Sequence, residues 1–172
     1  YYGAANAVLV LAGDIDAATA RPLVEKYFGD IPAGPPVTQM KANAPKLAVS
    51  KKEVMLDRVP QPRIDRNWVA PGRTTKDAML LTLAAEVLGG GKTSRLFQKL
   101  VYEKEIATAA TASNQLQEVM SFYSVTVDAK ADADLAMVER EAEAVIAEFL
   151  AKGPTAAELE RAKTSINADI IR

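Results

Sequence analysis

This chain of 172 residues contains one glycine-rich stretch whose residue types could bind a phosphate. The stretch is Gly89-Gly90-Gly91-Lys92-Thr93-Ser94. Glycines that open a helix expose backbone amides, and these amides can bind an anion. A phosphate-binding loop also needs a glycine five residues before its last one, where this chain has Glu86. Such a loop follows a strand, whereas this stretch follows a predicted helix. The residues favour a helix-to-helix joint over nucleotide binding, with a hinge or peptide-contact loop as the functional alternative: Gly89, Gly90, Gly91, Ser94 and Arg95.

The chain contains no histidine and no cysteine, which excludes most hydrolytic chemistry. Disulfides, thiol nucleophiles, Cys/His zinc sites and a Ser-His-Asp triad are all ruled out. The sequence has 21 basic and 22 acidic residues, for a formal net charge of −1. This balance provides no general attraction to nucleic acid or to an anionic membrane.

Acidic residues are numerous, but their spacing is typical of helix caps and solvated helix faces. Asp14, Asp16, Asp132 and Asp134 stand at predicted helix starts, and three glutamates lie between positions 139 and 143. A carboxylate-only Mg²⁺ or Ca²⁺ site stays open as an alternative, although no EF-hand loop is present. The sequence predicts neither a catalytic residue nor a metal ligand within the chain.

Hydrophobic periodicity predicts the elements that would carry these residues. We expect a buried strand over residues 6–12, a helix over 17–28, and strands at about 47–58 and 63–70. Three prolines and a glycine in Ile31-Pro32-Ala33-Gly34-Pro35-Pro36 predict a stiff connector at about residues 31–45. Trp68, beside Val69 on the fourth element, is expected in the core.

The hydrophobic pattern in the second half of the chain predicts further helices and a pair of strands. Apolar spacing predicts a helix over 77–88 and a short one after Thr93 or Ser94, followed by strands at 106–116 and 119–128. A long helix then ends at Gly153-Pro154, and Thr155 with Glu158 forms a capping box for the last helix. The order predicts an α+β fold, a largely antiparallel sheet covered on one face by helices.

Four segments, taken in order, resemble one family. They are Asn6 to Asp16, Val24 to Pro32, Leu88 to Lys104, and Gly153 to Lys163. Together they resemble the pitrilysin/insulinase family of zinc peptidases, which includes mitochondrial processing peptidase-like proteins. The resemblance covers nearly all of residues 1–172, read as a single non-catalytic domain. Because the chain starts with Tyr1-Tyr2, we expect a piece of a longer protein.

The resemblance implies a two-layer α+β domain from a half-shell that closes around an unfolded peptide. In active members a His-x-x-Glu-His helix holds zinc in the preceding domain, and this chain has no histidine to supply it. The segment resembles the domain that follows the zinc domain. Family members often carry an Arg and a Tyr in the later half, where this chain has Val101 and Thr108. That departure favours the domain next to the zinc domain in the first half.

Two functions follow from the resemblance. The first is a non-catalytic domain of a zinc-dependent metalloendopeptidase, with the zinc held upstream, that helps form a peptide-binding chamber. The second is a scaffold or assembly domain of a zinc-free, inactive paralogue. The expected partners are the remaining domains of the same polypeptide, an extended peptide substrate and a second copy of the chain. Neither nucleic acid nor a transmembrane segment is expected, since no apolar run approaches about 20 residues. The expected compartment is the periplasm, with the cytoplasm as the alternative.

Overall fold

The computed structural model describes residues 2–36 and 42–171. The chain divides into two compact units, residues 1–42 and 43–172. The division falls inside the predicted connector at about 31–45, of which residues 37–41 lie outside the described part. Each unit is described separately below.

The first unit consists of a helical turn and one helix. A 3₁₀ turn spans Ala4–Asn6, and helix α1 spans Ala17–Phe28. The Asp16 side chain accepts a hydrogen bond from the Thr19 backbone N–H at 2.8 Å, so the predicted cap and the predicted helix are confirmed. None of the α1 residues is buried, and Leu23, Tyr27 and Phe28 are about half exposed or more.

The second unit is a three-stranded antiparallel sheet with helices on one face. Its strands lie in the order β1-β3-β2, so the last strand is central. Strands and helices have the following bounds: β1 Arg63–Pro71, α2 Lys76–Gly89, α3 Arg95–Phe97, β2 Ala107–Gln115, β3 Met120–Ala129, α4 Leu135–Lys152 and α5 Ala156–Ile171. A π-helical turn, Gln98–Glu103, extends α3.

The core lies between one sheet face and the helices. Alternate residues of β3 point into it because side chains on a strand alternate between faces. Val125, Val127 and Ala129 of β3 pack with Leu96, Leu100 and Val138 from the helical layer, and all six are at most 2% exposed. This arrangement confirms the predicted α+β class with its antiparallel sheet.

Two predicted strands are absent from the structure. Residues 7–12 and 46–59 form no strand, and their apolar side chains are exposed: Val8 is 89%, Val54 80% and Leu56 96% exposed. A strand exists through its ladder of hydrogen bonds to a neighbour. Neither segment pairs with one, so apolar composition alone was an insufficient signal. The predictions of strands at 6–12 and 47–58 are therefore wrong.

Trp68 also departs from its expected place in the core. It lies on the helix-facing side of β1, which is an edge strand, and is 42% exposed. Its ring meets the edge of Tyr123 on the paired strand at a centroid distance of 6.1 Å. An edge position leaves one flank of the indole open to solvent.

Candidate functional site

The glycine-rich loop connects two helices, as its sequence predicted. It runs from the end of α2 to the start of α3. Gly89 lies directly under β2, since a Cβ built there would be 1.9 Å from the Ala112 nitrogen and 2.4 Å from the Thr111 carbonyl carbon. Gly89 is thus required for close packing of α2 on the sheet, and it is buried.

Gly90 and Gly91 form the exposed part of this loop. Gly91 has φ of +113° and open space around it, a backbone conformation that favours glycine. A Cβ at Gly90 would come within 2.3 Å of the Glu86 carboxylate. Gly90 and Gly91, with Lys92 and Thr93 beside them, are exposed loop positions that a partner could reach.

Ser94 is committed to the loop's own structure. Its side chain is buried, and its hydroxyl donates to the Gly91 carbonyl at 2.7 Å. The Ser94 backbone N–H donates to the same oxygen at 3.1 Å. The serine closes the turn that precedes α3.

Arg95 is committed to an ion pair with a residue far along the chain. Its Nε and Nη2 donate to the two carboxylate oxygens of Glu158, each at 2.7 Å. Nη2 also donates to the Gly153 carbonyl at 3.0 Å, and the guanidinium lies 5.3 Å from the Phe149 ring centre. This fork-on-fork geometry is the strong form of an ion pair. It ties α3 to the turn between α4 and α5.

Glu158 also completes the predicted capping box. Its carboxylate accepts from the Thr155 backbone N–H at 2.7 Å, while the Thr155 hydroxyl accepts from the Glu158 N–H at 3.2 Å. The Arg95 guanidinium, together with the Thr155 donors, lowers the pKa of Glu158 to about 2. The acid is therefore ionised at any physiological pH.

The sheet face opposite the helices carries three cross-strand polar pairs. Arg63 Nε donates to Asp128 at 2.6 Å, Thr126 to Asp65 at 2.8 Å, and Ser124 to Asn67 at 2.6 Å. Each pair joins residues that are directly opposite in the β1–β3 register. Asp128 raises the pKa of Arg63 through this hydrogen bond. These pairs make this part of the face polar, with one positive and two negative charges.

We call this surface of the sheet the open face. Strand β2 contributes to it as well. Thr111 and Ser113 of β2 lie opposite Thr126 and Ser124, and both are exposed. The helices of residues 43–171 pack on the other face, where the buried core residues lie. The sequence predicted β3 as a strand but did not bring these side chains together, because a sheet face forms only when distant strands pair. Threonines and serines at alternate positions were the available signal.

The outer edge of β1 has no strand partner among the described residues. The Ala129 N–H donates to the Pro62 carbonyl. Pro62 and Ala129 are therefore a hydrogen-bonded pair of the antiparallel ladder. Such pairs alternate with non-hydrogen-bonded pairs, so the even-numbered residues of β1 are the ones that bond to β3. Backbone groups of the odd-numbered residues, Arg63, Asp65, Asn67 and Val69, consequently point toward the open edge.

Most other acidic residues have structural partners. Asp134 caps α4 by accepting from the Ala136 N–H at 2.9 Å. Glu139 binds both Lys52 at 2.6 Å and Arg66 at 3.0 Å, and these cations lower its pKa. Arg66 also binds Glu143. The Arg66 side chain is an ion-pair partner on the helix side of the sheet and is not on the open face.

A zinc site does not fit the described residues. No group of three His, Cys, Asp or Glu side chains in residues 2–36 and 42–171 is placed to hold a metal ion. The whole sequence also has no imidazole or thiol, the ligands that zinc sites in peptidases depend on. In the same described ranges, no helix is both long enough and apolar enough to span a membrane.

Comparison with known proteins identifies relatives over the full chain. Residues 1–166 match the family model described as the peptidase M16 inactive domain. A curated relative, the zinc protease PqqE of Helicobacter pylori, is 30% identical over 189 aligned positions, which cover 99% of this chain and 39% of the relative. The chain thus spans about two fifths of the length of that relative.

Solved structures share the fold. A protease from Helicobacter pylori superposes with a TM-score of 0.75 at 24% identity, covering 92% of this chain and 39% of that one. A peptidase M16 inactive domain from Pseudomonas fluorescens gives 0.70 at 18% identity, over 99% and 41%. The periplasmic protease PqqL of Escherichia coli gives 0.55 at 18% identity, over 91% and 18%.

Proposed function

Because this chain belongs to the peptidase M16 inactive-domain family, we propose that it lines a peptide-binding chamber beside a zinc-dependent catalytic domain. It is the non-catalytic domain of a zinc-protease-like protein, in agreement with the predicted pitrilysin/insulinase relationship. The role in lining a peptide-binding chamber goes beyond this family relationship. The observation that carries it is the open face, a polar sheet surface left uncovered by the helices of its own unit.

The open face has the chemistry to hold a peptide without reading its sequence. Hydroxyl and carboxamide groups recur at alternate residues, about 6.4–6.8 Å apart along a strand. This spacing matches the repeat of backbone groups in an extended peptide. Asp128 neutralises Arg63, whereas Asp65 accepts from the neutral Thr126 hydroxyl and keeps its charge, so these pairs leave one net negative charge that selects only weakly for peptide charge.

The outward edge of β1 offers a second way to hold the same peptide. Exposed backbone N–H and C=O groups bind an extended chain by strand addition, which depends on main-chain geometry and tolerates varied side chains. The predicted extended peptide partner is thus compatible with both the open face and its edge.

The exposed glycines of the α2–α3 loop provide the hinge or peptide-contact element. Gly90 and Gly91 are the exposed members of the predicted set, while Gly89, Ser94 and Arg95 position them through packing, a turn and an ion pair. We assign peptide contact or hinge motion to Gly90 and Gly91 and support of the loop to the other three.

Catalysis in this proposal belongs to another domain of the parent polypeptide. Zinc would be held by a His-x-x-Glu-His helix there, where it would activate a water molecule for peptide hydrolysis. This chain would only contact the substrate and hold it in position. The periplasm is the proposed compartment, supported by the fold similarity to a periplasmic protease.

A scaffold domain of a zinc-free paralogue is the second candidate. The absence of metal-binding residues in this chain is equally compatible with it. Homodimers and assembly with the other domains of the polypeptide would then be its main interactions. A His-x-x-Glu-His motif in the remaining sequence of the parent gene decides between the two.

Fluorescence anisotropy with a labelled, unstructured peptide tests the chamber role on the 172-residue chain. Ser113→Arg places a long charged side chain across the open face and should weaken binding by at least about fivefold. Thr164→Arg makes a similar change on exposed α5 and should leave binding unchanged. Equal binding by both variants, or no binding by the wild-type chain, would contradict the proposal.

A further inference from the structure

We propose that a polar pocket between the end of α2 and the middle of α5 binds a basic side chain, lysine or arginine, presented by a protein partner. The pocket has a volume of about 140 Å³, and its lining includes Glu86, Val87, Gly90, Thr93, Arg161 and Ser165. It lies on the helix side of the second unit. Its ligand is therefore distinct from a peptide on the open face, and the inference goes beyond the proposed function.

Glu86 is the group that selects a cation. Its side chain is half-buried, yet it forms neither an ion pair nor a hydrogen bond with any described residue. Its carboxylate lies over Gly90, close enough that a Cβ at position 90 would be 2.3 Å from Oε2. A half-buried carboxylate without a counter-ion is costly and gains from binding a cation.

The backbone around Glu86 reinforces this selection. Helix α2 ends at Gly89, and the Gly90 N–H donates to the Glu86 carbonyl at 2.9 Å. The last carbonyls of a helix form the negative end of its dipole and attract positive charge. The carboxylate and the helix end therefore act in the same direction on a bound ammonium or guanidinium.

Two hydroxyls complete the acceptor set. Thr93 lies in the exposed loop, and Ser165 lies on the α5 side of the pocket. A hydroxyl oxygen accepts hydrogen bonds from N–H donors. An ammonium or a guanidinium has three or five such donors, more than a single carboxylate can satisfy.

The other charged residues of the pocket limit the ligand to one positive charge. Glu158 is already bound bidentately to Arg95, so its charge is neutralised. Arg161 is exposed and makes no ion pair with a described residue. Its guanidinium also lines the pocket and repels positive charge, so the one unpaired carboxylate of Glu86 leaves room for a single basic side chain.

An NMR titration of the ¹⁵N-labelled 172-residue chain with N-acetylarginine amide tests this site. We expect saturable shifts at the amides of Glu86, Gly90, Thr93 and Ser165. N-acetylnorleucine amide has no charge and should give none. Glu86→Gln keeps the shape and removes the charge, so it should weaken arginine-amide binding about tenfold.

Glu160→Gln provides the matched control, because Glu160 is an exposed α5 carboxylate bound to Lys163 at 2.8 Å. It should bind arginine amide like the wild-type chain. Thr93→Val, which removes one hydroxyl without changing the charge, should weaken binding less than Glu86→Gln. Equal shifts with norleucine amide, or undiminished binding by Glu86→Gln, would overturn the proposal while leaving peptide binding on the open face unaffected.

Discussion

At the scale of single residues, the Arg95–Glu158 ion pair joins two parts of the chain that are 63 residues apart. Both side chains are less than one fifth exposed, and the pair is bidentate. Ionised Glu158 simultaneously caps α5 through Thr155. One carboxylate therefore stabilises both a helix terminus and a contact between helices.

The lowered pKa of Glu158 predicts a specific acid sensitivity. Its pKa is about 2 in the folded chain, well below the usual range of a glutamate. The stabilisation is complete above the unfolded pKa and is lost as the pH falls from about 4.5 toward about 2. Glu158→Gln should lower the free energy of unfolding at neutral pH by about 1–2 kcal/mol, a value reduced for solvent screening.

Chemical denaturation across this pH range measures the effect. The wild-type chain should lose stability between about pH 4.5 and 2 more steeply than Glu158→Gln. Glu160→Gln, which breaks an exposed pair with Lys163, is the control and should follow the wild-type curve. Parallel curves for wild type and Glu158→Gln would show that the ion pair does not contribute.

Tyr123 carries a buried hydroxyl that has no partner in the described part of the chain. Burial raises its pKa to about 12. Because an unsatisfied buried hydroxyl costs free energy, Tyr123→Phe should stabilise the chain by about 0.5–1 kcal/mol while the ring keeps its contact with Trp68.

Asn114, directly opposite Tyr123, provides the contrast for that experiment. Its amide nitrogen donates to the Ala78 carbonyl at 2.8 Å and to the Thr82 hydroxyl at 3.2 Å. Asn114→Ala should therefore destabilise the chain by about 1–2 kcal/mol. A Tyr123→Phe variant that melts below the wild type would indicate that the hydroxyl has a partner.

At the scale of secondary structure, the contact between α2 and β2 depends on a missing side chain. Gly89→Ala would place a methyl group 1.9 Å from the Ala112 nitrogen, so helix and sheet must separate. Overpacking of this kind costs about 1–3 kcal/mol or more. Gly91→Ala meets no atoms, and its only cost is the backbone strain of an alanine at φ of +113°, about 1–2 kcal/mol.

Thermal melts of the two glycine variants separate packing from backbone strain. Gly89→Ala should lower the melting temperature clearly more than Gly91→Ala. The reverse order would mean that α2 does not approach the sheet as closely as described.

Local signals predicted the elements whose stability is local. Asp16 before α1 and the Thr155–Glu158 box before α5 were both identified from spacing, and both make the expected hydrogen bonds. Capping requires residues only three positions apart. The strands at 6–12 and 47–58 failed because pairing depends on distant partners that composition does not reveal.

The candidate sites also combine features with a local sequence signal and features that depend on residues distant in sequence. The glycine loop was recognisable from its composition, whereas the roles of Gly89 and Arg95 depend on Ala112 and Glu158, which are distant in sequence. The open face needed the register of three strands before Thr111, Ser113 and Ser124 could be placed together. Single-sequence patterns carry no information on such register.

At the scale of the whole molecule, the chain belongs to a peptidase domain family although its described residues hold no group of metal ligands. It covers 39% of the curated relative, whose name includes zinc protease. The family model describes this segment as inactive. In our proposal the sheet surface and the loop provide contact and support, and the chemistry belongs to another domain.

The central claim is that the open face holds an extended peptide and leaves it intact. An NMR titration of the ¹⁵N-labelled chain with an unstructured peptide in the presence of zinc tests this most directly. We expect shifts that cluster at Asn67, Thr111, Ser113, Ser124 and Thr126, with the peptide recovered at its original mass. Shifts confined to the helical layer, or cleavage fragments that disappear with a chelator, would contradict it.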